Sequence, residues 1–312
     1  MLPVKTALVG YGHLGRFHAQ KIAALDDAHF VAIVEPFVPN QQKAREAHSE
    51  VIIVNSVDEL PNDIEAAIVA TPTSFHFELC QKLIAKNIHI FCEKPITDKL
   101  SDAIKLEVSL KNSSLIFQAG HSERCHEIWE MRERFKEFLT PGCHLRIDRY
   151  APFKGRATDV DVVNDLMIHD LDLLRFLLER EPKKISTKGY KQRTNHFDHV
   201  IANLEWSDGT SATITVGRGH VHEVRALEAV NSKGVMRVDL MNNHLNIAFA
   251  NIDQVETIQY QKRDHLLLEQ KNFYRAIRGL GPVMVNFNDG LMAVRLVDAV
   301  LKSLNEATSV EL

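Results

Sequence analysis

The 312-residue chain is poor in cysteine, with four, in tryptophan, with two, and in proline, with ten. The cysteines, Cys80, Cys92, Cys125 and Cys143, form no C-x-x-C pair, which excludes a zinc ribbon and a thioredoxin-type motif. So few thiols suit an intracellular protein with reduced, mostly buried cysteines. No apolar run reaches the roughly 18 to 20 residues that a membrane helix needs. The opening Met1-Leu2-Pro3-Val4-Lys5 has no charged segment followed by an apolar stretch, so no signal peptide is expected and the Asn112-Ser113-Ser114 sequon is incidental. Neither charge dominates: 37 Lys and Arg stand against 41 Asp and Glu, for a formal net charge of −4. Without a basic run there is no electrostatic footprint for nucleic acid or an anionic membrane. The expectation is a cytoplasmic protein with no nucleic-acid and no membrane partner.

What is present is an ordinary globular composition, 45% hydrophobic and 25% charged. At roughly 150 residues per domain the length suggests two domains, and the rhythm of the sequence changes after Gly120. Over residues 1–120 short apolar runs alternate with helix-period segments. Strands are expected at Thr6–Val9, Phe30–Val34, Val51–Val54, Ala66–Ala70, Ile88–Cys92 and Leu115–Gln118, with helices between them. That alternation implies a doubly wound parallel sheet of the Rossmann type, covered on both faces. Over residues 121–312 a helix is expected at Glu123–Leu139, a strand at His144–Tyr150 and a strongly apolar helix at Asp165–Leu178. A run of strands separated by turn signals then spans Lys183 to Gln259, and two helices near His265–Arg278 and Gly290–Leu304 follow. Strands in succession without helices imply an α+β domain with an open, largely antiparallel sheet.

The first strand runs into Gly10-Tyr11-Gly12-His13-Leu14-Gly15, a G-x-G-x-x-G that opens a helix. The first glycine permits the tight turn, the second admits a pyrophosphate to the backbone, and the third lets helix pack on strand. Free amides at the helix N-terminus, around His13 and Leu14, complete a phosphate site. Glu35 follows the second strand, where a carboxylate would accept hydrogen bonds from an adenosine ribose and repel a 2′-phosphate. NAD is therefore expected rather than NADP.

Thr71-Pro72 and Glu93-Lys94-Pro95 each follow an expected parallel strand at its carboxyl end, where open α/β sheets bind ligands. A lysine there can donate to a sugar oxygen. Asp165, His169 and Asp172 stand at i, i+4 and i+7 on one face of an apolar helix. Four segments in order, the glycine loop, Ala70-Thr71-Pro72-Thr73-Ser74-Phe75-His76, Cys92-Glu93-Lys94-Pro95 and Asp165-Leu166-Met167-Ile168-His169-Asp170-Leu171-Asp172, resemble the glucose–fructose oxidoreductase/inositol dehydrogenase (Gfo/Idh/MocA) family over essentially the whole chain. The resemblance implies that Thr71, Pro72 and His76 line the cofactor, that Glu93 and Lys94 lie near the nicotinamide, and that Asp165 and His169 reach the substrate. It also implies a homodimer or homotetramer associating through the open sheet.

Oxidising a secondary alcohol means removing its O–H proton while hydride leaves carbon. His169 is the expected general base, its unperturbed pKa lying nearest neutrality. Lys94 polarises the oxygen and Asp165 orients the sugar or the base. Lys94 as the proton acceptor is the open alternative. Gly120-His121-Ser122-Glu123-Arg124 resembles the branch acting on nucleotide-linked amino sugars, with a departure at Cys125-His126-Glu127 where Phe-Asn-Pro is the pattern. The expected substrate is a UDP-linked N-acetylhexosamine oxidised at carbon 3. The alternatives are a free polyol or monosaccharide such as inositol, and a catalytically silent sensor of NAD and sugar. Arg124 is expected to hold the diphosphate through its fork of donors, or else to make a surface salt bridge. No metal is expected: no carboxylate–histidine cluster has zinc spacing, and His220 and His222 are expected on opposite faces of a strand. Trp129 and Trp206 are expected in the core or an interface.

Overall fold

A computed structural model describes residues 2–155 and 158–312. In chain order the elements are β1 (Val4–Val9), α1 (His13–Ala24), β2 (Ala28–Val34), α2 (Val38–Ala47), β3 (Ile52–Val54), β4 (Ala66–Val69), α3 (His76–Ala85), β5 (His89–Glu93), α4 (Leu100–Leu110) and β6 (Phe117–Gly120). They continue with β7 (His144–Ala151), α5 (Ile168–Leu178), β8 (Lys184–Tyr190), β9 (His199–Glu205), β10 (Ser211–Arg218), β11 (Val224–Asn231) and β12 (Gly234–Asp239). The last are β13 (His244–Phe249), β14 (Val255–Gln259), α6 (His265–Ile277), α7 (Phe287–Glu306) and β15 (Val310–Glu311). Two compact units form: Met1–Ser122 with Asp264–Val294, and Glu123–Arg263 with Arg295–Leu312.

The first unit holds a six-stranded sheet in the order β3-β2-β1-β4-β5-β6, parallel throughout, which is the doubly wound Rossmann arrangement. Strand residues alternate between two cores. Ala7, Val9, Cys92 and Ile90 face one with Leu83 and Leu106, while Leu8, Ile33, Ile68 and Phe91 face the other. The second core is completed by Phe273 and Tyr274 of α6, both fully buried. Beside β6, the Ala119 amide donates to the Val285 carbonyl at 2.9 Å. The segment Asp264–Val294 thus packs with the first unit, although it lies within the expected second domain, residues 121–312. Local periodicity identifies α6 as a helix but carries no information about which core covers its apolar face.

The second unit holds a nine-stranded sheet, β14-β13-β12-β11-β7-β10-β9-β8-β15. It is antiparallel except where β7 and β10 pair in parallel with Ile147 opposite Ile214. The α/β class with a Rossmann sheet and a second, largely antiparallel one is as expected. Local structure differs in three places. Glu123–Leu139 is not an α-helix but successive 3-10 turns, Ser122–Cys125, Glu127–Arg134 and Lys136–Leu139. The buried Cys125, Ile128, Trp129, Phe135, Phe138 and Leu139 keep near-helical spacing, but non-helical backbone at His126 (ψ 133°) and Phe135 (φ −134°) divides the segment into separate turns. The helix expected from Asp165 opens with a π-helical turn, Val163–Met167, before α5 begins. His220 and His222 lie in the loop after β10 with ring centroids 4.9 Å apart, not on opposite faces of a strand.

The four cysteines are buried thiols. Trp129 and Trp206 are each 6% exposed core residues, their indole nitrogens donating to the carbonyls of Glu123 and Arg180. Among the described residues no helix is long and apolar enough to cross a membrane.

Candidate active site

In the first unit the strand order reverses between β1 and β4, and there the carboxyl ends of the strands open a crevice. The crevice has a volume of about 410 Å³, and Gly10, Gly12, Glu35, Asn40, Thr71 and Pro72 are among its lining residues. The three glycines of the loop divide their work as the motif requires. Gly10 has φ +94°, and a Cβ there would stand 2.9 Å from the Ala70 carbonyl oxygen. A Cβ on Gly15 would fall 2.0 Å from the Gly10 carbonyl oxygen, so only glycine lets the helix sit this close to the turn. Gly12 faces open space, with nothing within 4 Å of an added Cβ. It is also the N-cap of α1, which has no side-chain cap, so the first amides of the helix await an outside acceptor. An open cradle with uncapped amides at a helix N-terminus fits a dinucleotide pyrophosphate. His13 and Leu14 are exposed in that first turn, whose uncapped groups are backbone amides.

Glu35 is 6% exposed and closes the crevice. Its carboxylate accepts from the Tyr11 amide at 2.8 Å, the Phe37 amide at 2.9 Å and the Asn40 side chain at 3.2 Å. It ties the glycine loop to the end of β2 and keeps a negative charge at the crevice wall. Lys82, which lines the same space, is paired with Asp58 at 2.9 Å, so its charge is compensated.

Three further residues of the first unit are expected to touch the cofactor or its ring. His76 is fully buried with Nδ1 2.8 Å from the Pro95 carbonyl and Nε2 2.9 Å from that of Thr71. It braces the loops after β4 and β5 to one another and presents no group to a ligand, contrary to its expected place on the cofactor. Burial, outweighing the two carbonyls, lowers its pKa and favours the neutral ring. Glu93 is 8% exposed; its Oε1 meets His18 Nε2 at 2.8 Å and its Oε2 accepts from the Lys94 amide at 3.2 Å. Both oxygens of this carboxylate are thus engaged within the unit. Burial raises its pKa, but the His18 contact and the Lys94 charge outweigh that and leave it below the usual range. Lys94 itself is half-buried just past the end of β5.

In the second unit Asp165 and His169 are both half-buried, Asp165 in the π turn and His169 near the start of α5. Asp165 lines a cavity of about 90 Å³ with Arg149, Tyr150, Phe153, Arg218 and Arg225. π-helical turns recur at functional sites. Asp172 is fully buried, while Asp165 lies at the cavity.

The hub of this unit is Glu123, which motif reasoning passed over in favour of its neighbour. Arg149 donates through Nη1 to Glu123 Oε1 at 2.9 Å and through Nε and Nη2 to Asp170 at 2.7 to 2.9 Å. Arg225 reaches the same Glu123 oxygen at 3.2 Å, and His126 Nε2 lies 3.0 Å from the other. Burial opposes ionisation of Glu123, but Arg149, His126, Arg225 and His169 together hold its carboxyl well below the usual range. His126 and Glu127, at the departure from the branch pattern, are thus engaged within the unit; Glu127 pairs with Arg263. Arg124 donates to Asp172 through both Nε and Nη2, with 6% of its side chain exposed. Neither a surface salt bridge nor an open diphosphate clamp describes it, because its fork is already filled. No sequence signal marks these partners, since they lie on separate elements. Among the described residues no group of three or more His, Cys, Asp or Glu is placed to hold a metal ion.

The Gfo/Idh/MocA model for an oxidoreductase family with an NAD-binding Rossmann fold matches residues 4–121. The companion model for its C-terminal alpha/beta domain matches residues 143–312. UDP-N-acetylglucosamine 3-dehydrogenase of Acidithiobacillus ferrooxidans is 33% identical, over 97% of this chain and 96% of its own. A solved structure of that enzyme has a TM-score of 0.88 at 31% identity, covering 98% of this chain and 99% of its own. Myo-inositol 2-dehydrogenase of Thermotoga maritima is 25% identical, over 99% of this chain and 98% of its own. A levoglucosan dehydrogenase solved in complex with NADH shares the fold at 16% identity, with a TM-score of 0.88 and coverage of 99% of each chain. The chain belongs to the Gfo/Idh/MocA family of oxidoreductases and is a dehydrogenase with an NAD-binding Rossmann fold.

Proposed function

We propose that this dehydrogenase uses NAD to oxidise carbon 3 of a UDP-linked N-acetylhexosamine. One observation carries the reading: identity of 33%, across nearly the full length of both chains, to a UDP-N-acetylglucosamine 3-dehydrogenase. The glycine cradle and the fixed carboxylate of Glu35 support NAD over NADP, because a 2′-phosphate would meet that negative charge. When bound, the nicotinamide supplies the hydride acceptor. Gly12 and the first amides of α1 hold the pyrophosphate. Lys94 donates to the reacting oxygen and stabilises negative charge as it develops. His169 takes the hydroxyl proton, and Asp165 orients the sugar.

The test is absorbance at the reduced-nicotinamide band, with NAD and NADP run separately against UDP-N-acetylglucosamine, myo-inositol and glucose in the presence of a keto-trapping reagent. Reduction of NAD with the UDP-sugar alone, lost in Lys94→Ala and reduced about 10²- to 10⁴-fold in His169→Ala, is the expected result. Turnover of myo-inositol instead would transfer the mechanism to a free polyol, the substrate class named for the Thermotoga relative. Silence on all three sugars, with NAD still bound, would favour a sensor.

A further inference from the structure

Three buried polar side chains of the first unit have no part in the chemistry above. His18 lies on the inner face of α1 and Gln270 on α6, each 0% exposed, and Glu93 ends β5. A histidine and an amide in an apolar interior are costly unless their hydrogen bonds are made. Here they are made to one another. Gln270 Nε2 lies 2.9 Å from His18 Nδ1 and 3.3 Å from the His18 carbonyl oxygen. Two acceptors on the same residue require the NH₂ end of the amide, since its oxygen would face the carbonyl. His18 Nδ1 therefore accepts, and the ring proton sits on Nε2, where it is donated to Glu93 Oε1 at 2.8 Å.

The far side of the Glu93 carboxylate is equally constrained. Oε2 accepts from the Lys94 amide at 3.2 Å, and a Cβ on Gly120 would come within 2.8 Å of it. The glycine at the end of β6 leaves the room that this carboxylate occupies. Phe91, edge-on to the imidazole at a centroid distance of 5.4 Å, sets the ring plane. A continuous run of contacts therefore goes from Gln270 through His18 and Glu93 to the backbone of Lys94.

We propose that His18, held in one tautomer by Gln270, is a positioning residue for Lys94, acting through the Glu93 carboxylate that takes the Lys94 amide. The inference rests on the role of Lys94 in the proposed reaction. Without the His18 donor the carboxylate either turns away from the Lys94 amide or takes a proton, and the loop after β5 loses its anchor. A fixed negative charge beside the lysine is lost in the second case. Other ionisable groups around Glu93 are His76 from α3 and Cys92 from its own strand. A histidine supplies no negative charge in either form, and burial pushes the Cys92 thiol well up, so neither replaces that charge.

The test is steady-state kinetics from pH 5 to 10 on wild type, His18→Leu, His18→Gln, Gln270→Leu and Glu93→Gln, beside Lys94→Ala, with folding checked by circular dichroism and NAD affinity by titration. A displacement on the order of 1 Å at a reacting group costs about 10²-fold. His18→Leu and Glu93→Gln are expected to lower kcat about 10- to 100-fold with NAD affinity little changed. Removing an adjacent negative charge disfavours the protonated lysine, so the alkaline limb of kcat in Glu93→Gln should move down by about one pH unit. His18→Gln, whose amide can replace the Nε2 donor, should recover most of kcat and the wild-type limb. If His18→Leu does not fold, Gln270→Leu carries the test through a shift of the alkaline limb and loss of the single tautomer in imidazole ¹⁵N spectra. Wild-type kcat and pH profile in the folded variants, with Lys94→Ala inactive, would overturn this inference alone. Equal losses in His18→Leu and His18→Gln with no movement of the limb would also overturn it, by reducing His18 to packing. Full turnover in Lys94→Ala would overturn it together with the assigned role of Lys94.

Discussion

Arg124 closes on Asp172 as a two-pronged pair, Nε to Oδ2 at 2.8 Å and Nη2 to Oδ1 at 2.6 Å, with the carboxylate fully buried. The guanidinium also lies over the Phe176 ring, 5.2 Å from its centroid. Removing one member of such a pair strands a buried charge, which costs about 3 to 5 kcal/mol. Arg124→Met should lose that much stability in urea denaturation, and the double variant Arg124→Met/Asp172→Leu should regain most of it. An arginine whose main task is a diphosphate would instead raise KM for a nucleotide sugar while leaving the denaturation midpoint where it was.

The glycine loop separates binding from stability. Gly12→Ala adds a methyl group to open space, so its melting temperature without cofactor should match wild type while NAD affinity falls by 10-fold or more. Gly15→Ala forces a Cβ against the Gly10 carbonyl oxygen and should destabilise the first unit by roughly 1 to 3 kcal/mol. Differential scanning fluorimetry with and without NAD distinguishes the two outcomes.

Acid should act on the second unit through Glu123 and Asp198. The Asp198 carboxylate, buried, takes three backbone amides, from Gln192, Arg193 and Thr194, together with the Arg218 guanidinium. Burial opposes its ionisation, but these donors depress its pKa below the carboxylate range, as the arginines do for Glu123. A depressed folded-state pKa gives stability that is fully present above the unfolded value, about 3.9 to 4.3, and is lost as pH falls toward the folded one. Stability measured by urea titration should therefore hold to about pH 5 and fall steeply below pH 4. Asp198→Asn and Glu123→Gln should each flatten that fall while lowering stability at neutral pH.

Glu35 allows a cofactor test that does not depend on the sugar. Its carboxylate both organises the loop and faces the crevice. Glu35→Gln keeps the size and removes the charge, and is expected to bring NAD and NADP affinities closer together, measured by fluorescence titration. Equal preference for NAD in wild type and variant would place the discrimination elsewhere.

The sequence carried the local code of the fold well, because that code is periodic. The alternation of buried strands and amphipathic helices up to Gly120, and the turn signals between the later strands, are physical requirements visible along the chain. The glycine loop is readable because its spacing is local, although the demands differ: Gly15 meets the Gly10 carbonyl five residues back, Gly10 meets Ala70 beyond β4, and Gly12 faces open space. What was not readable depends on distant partners. Nothing near Arg124 announces Asp172, nothing near Glu123 announces Arg149, and His18 reads as one more position on α1 until Glu93 and Gln270 are placed beside it. The Glu123–Leu139 segment reads as a helix because its buried residues keep near-helical spacing, while the non-helical backbone at His126 and Phe135 that breaks it into turns carries no local signal. His76 was misplaced because a motif gives proximity to a loop, not the direction of a ring.

The return of Asp264–Val294 to the first unit has a consequence for biosynthesis. A ribosome releases the six strands of that unit long before it makes Phe273 and Tyr274, which cover one of their two faces. Until then the nascent sheet holds an apolar surface without its lid, a state that invites chaperone capture and aggregation. All strands of the second sheet except β15 are synthesised before α6. Domain grafting obeys the same rule: a cut after Ser122 that leaves behind the segment from Asp264 transplants a cofactor module with its hydrophobic wall missing.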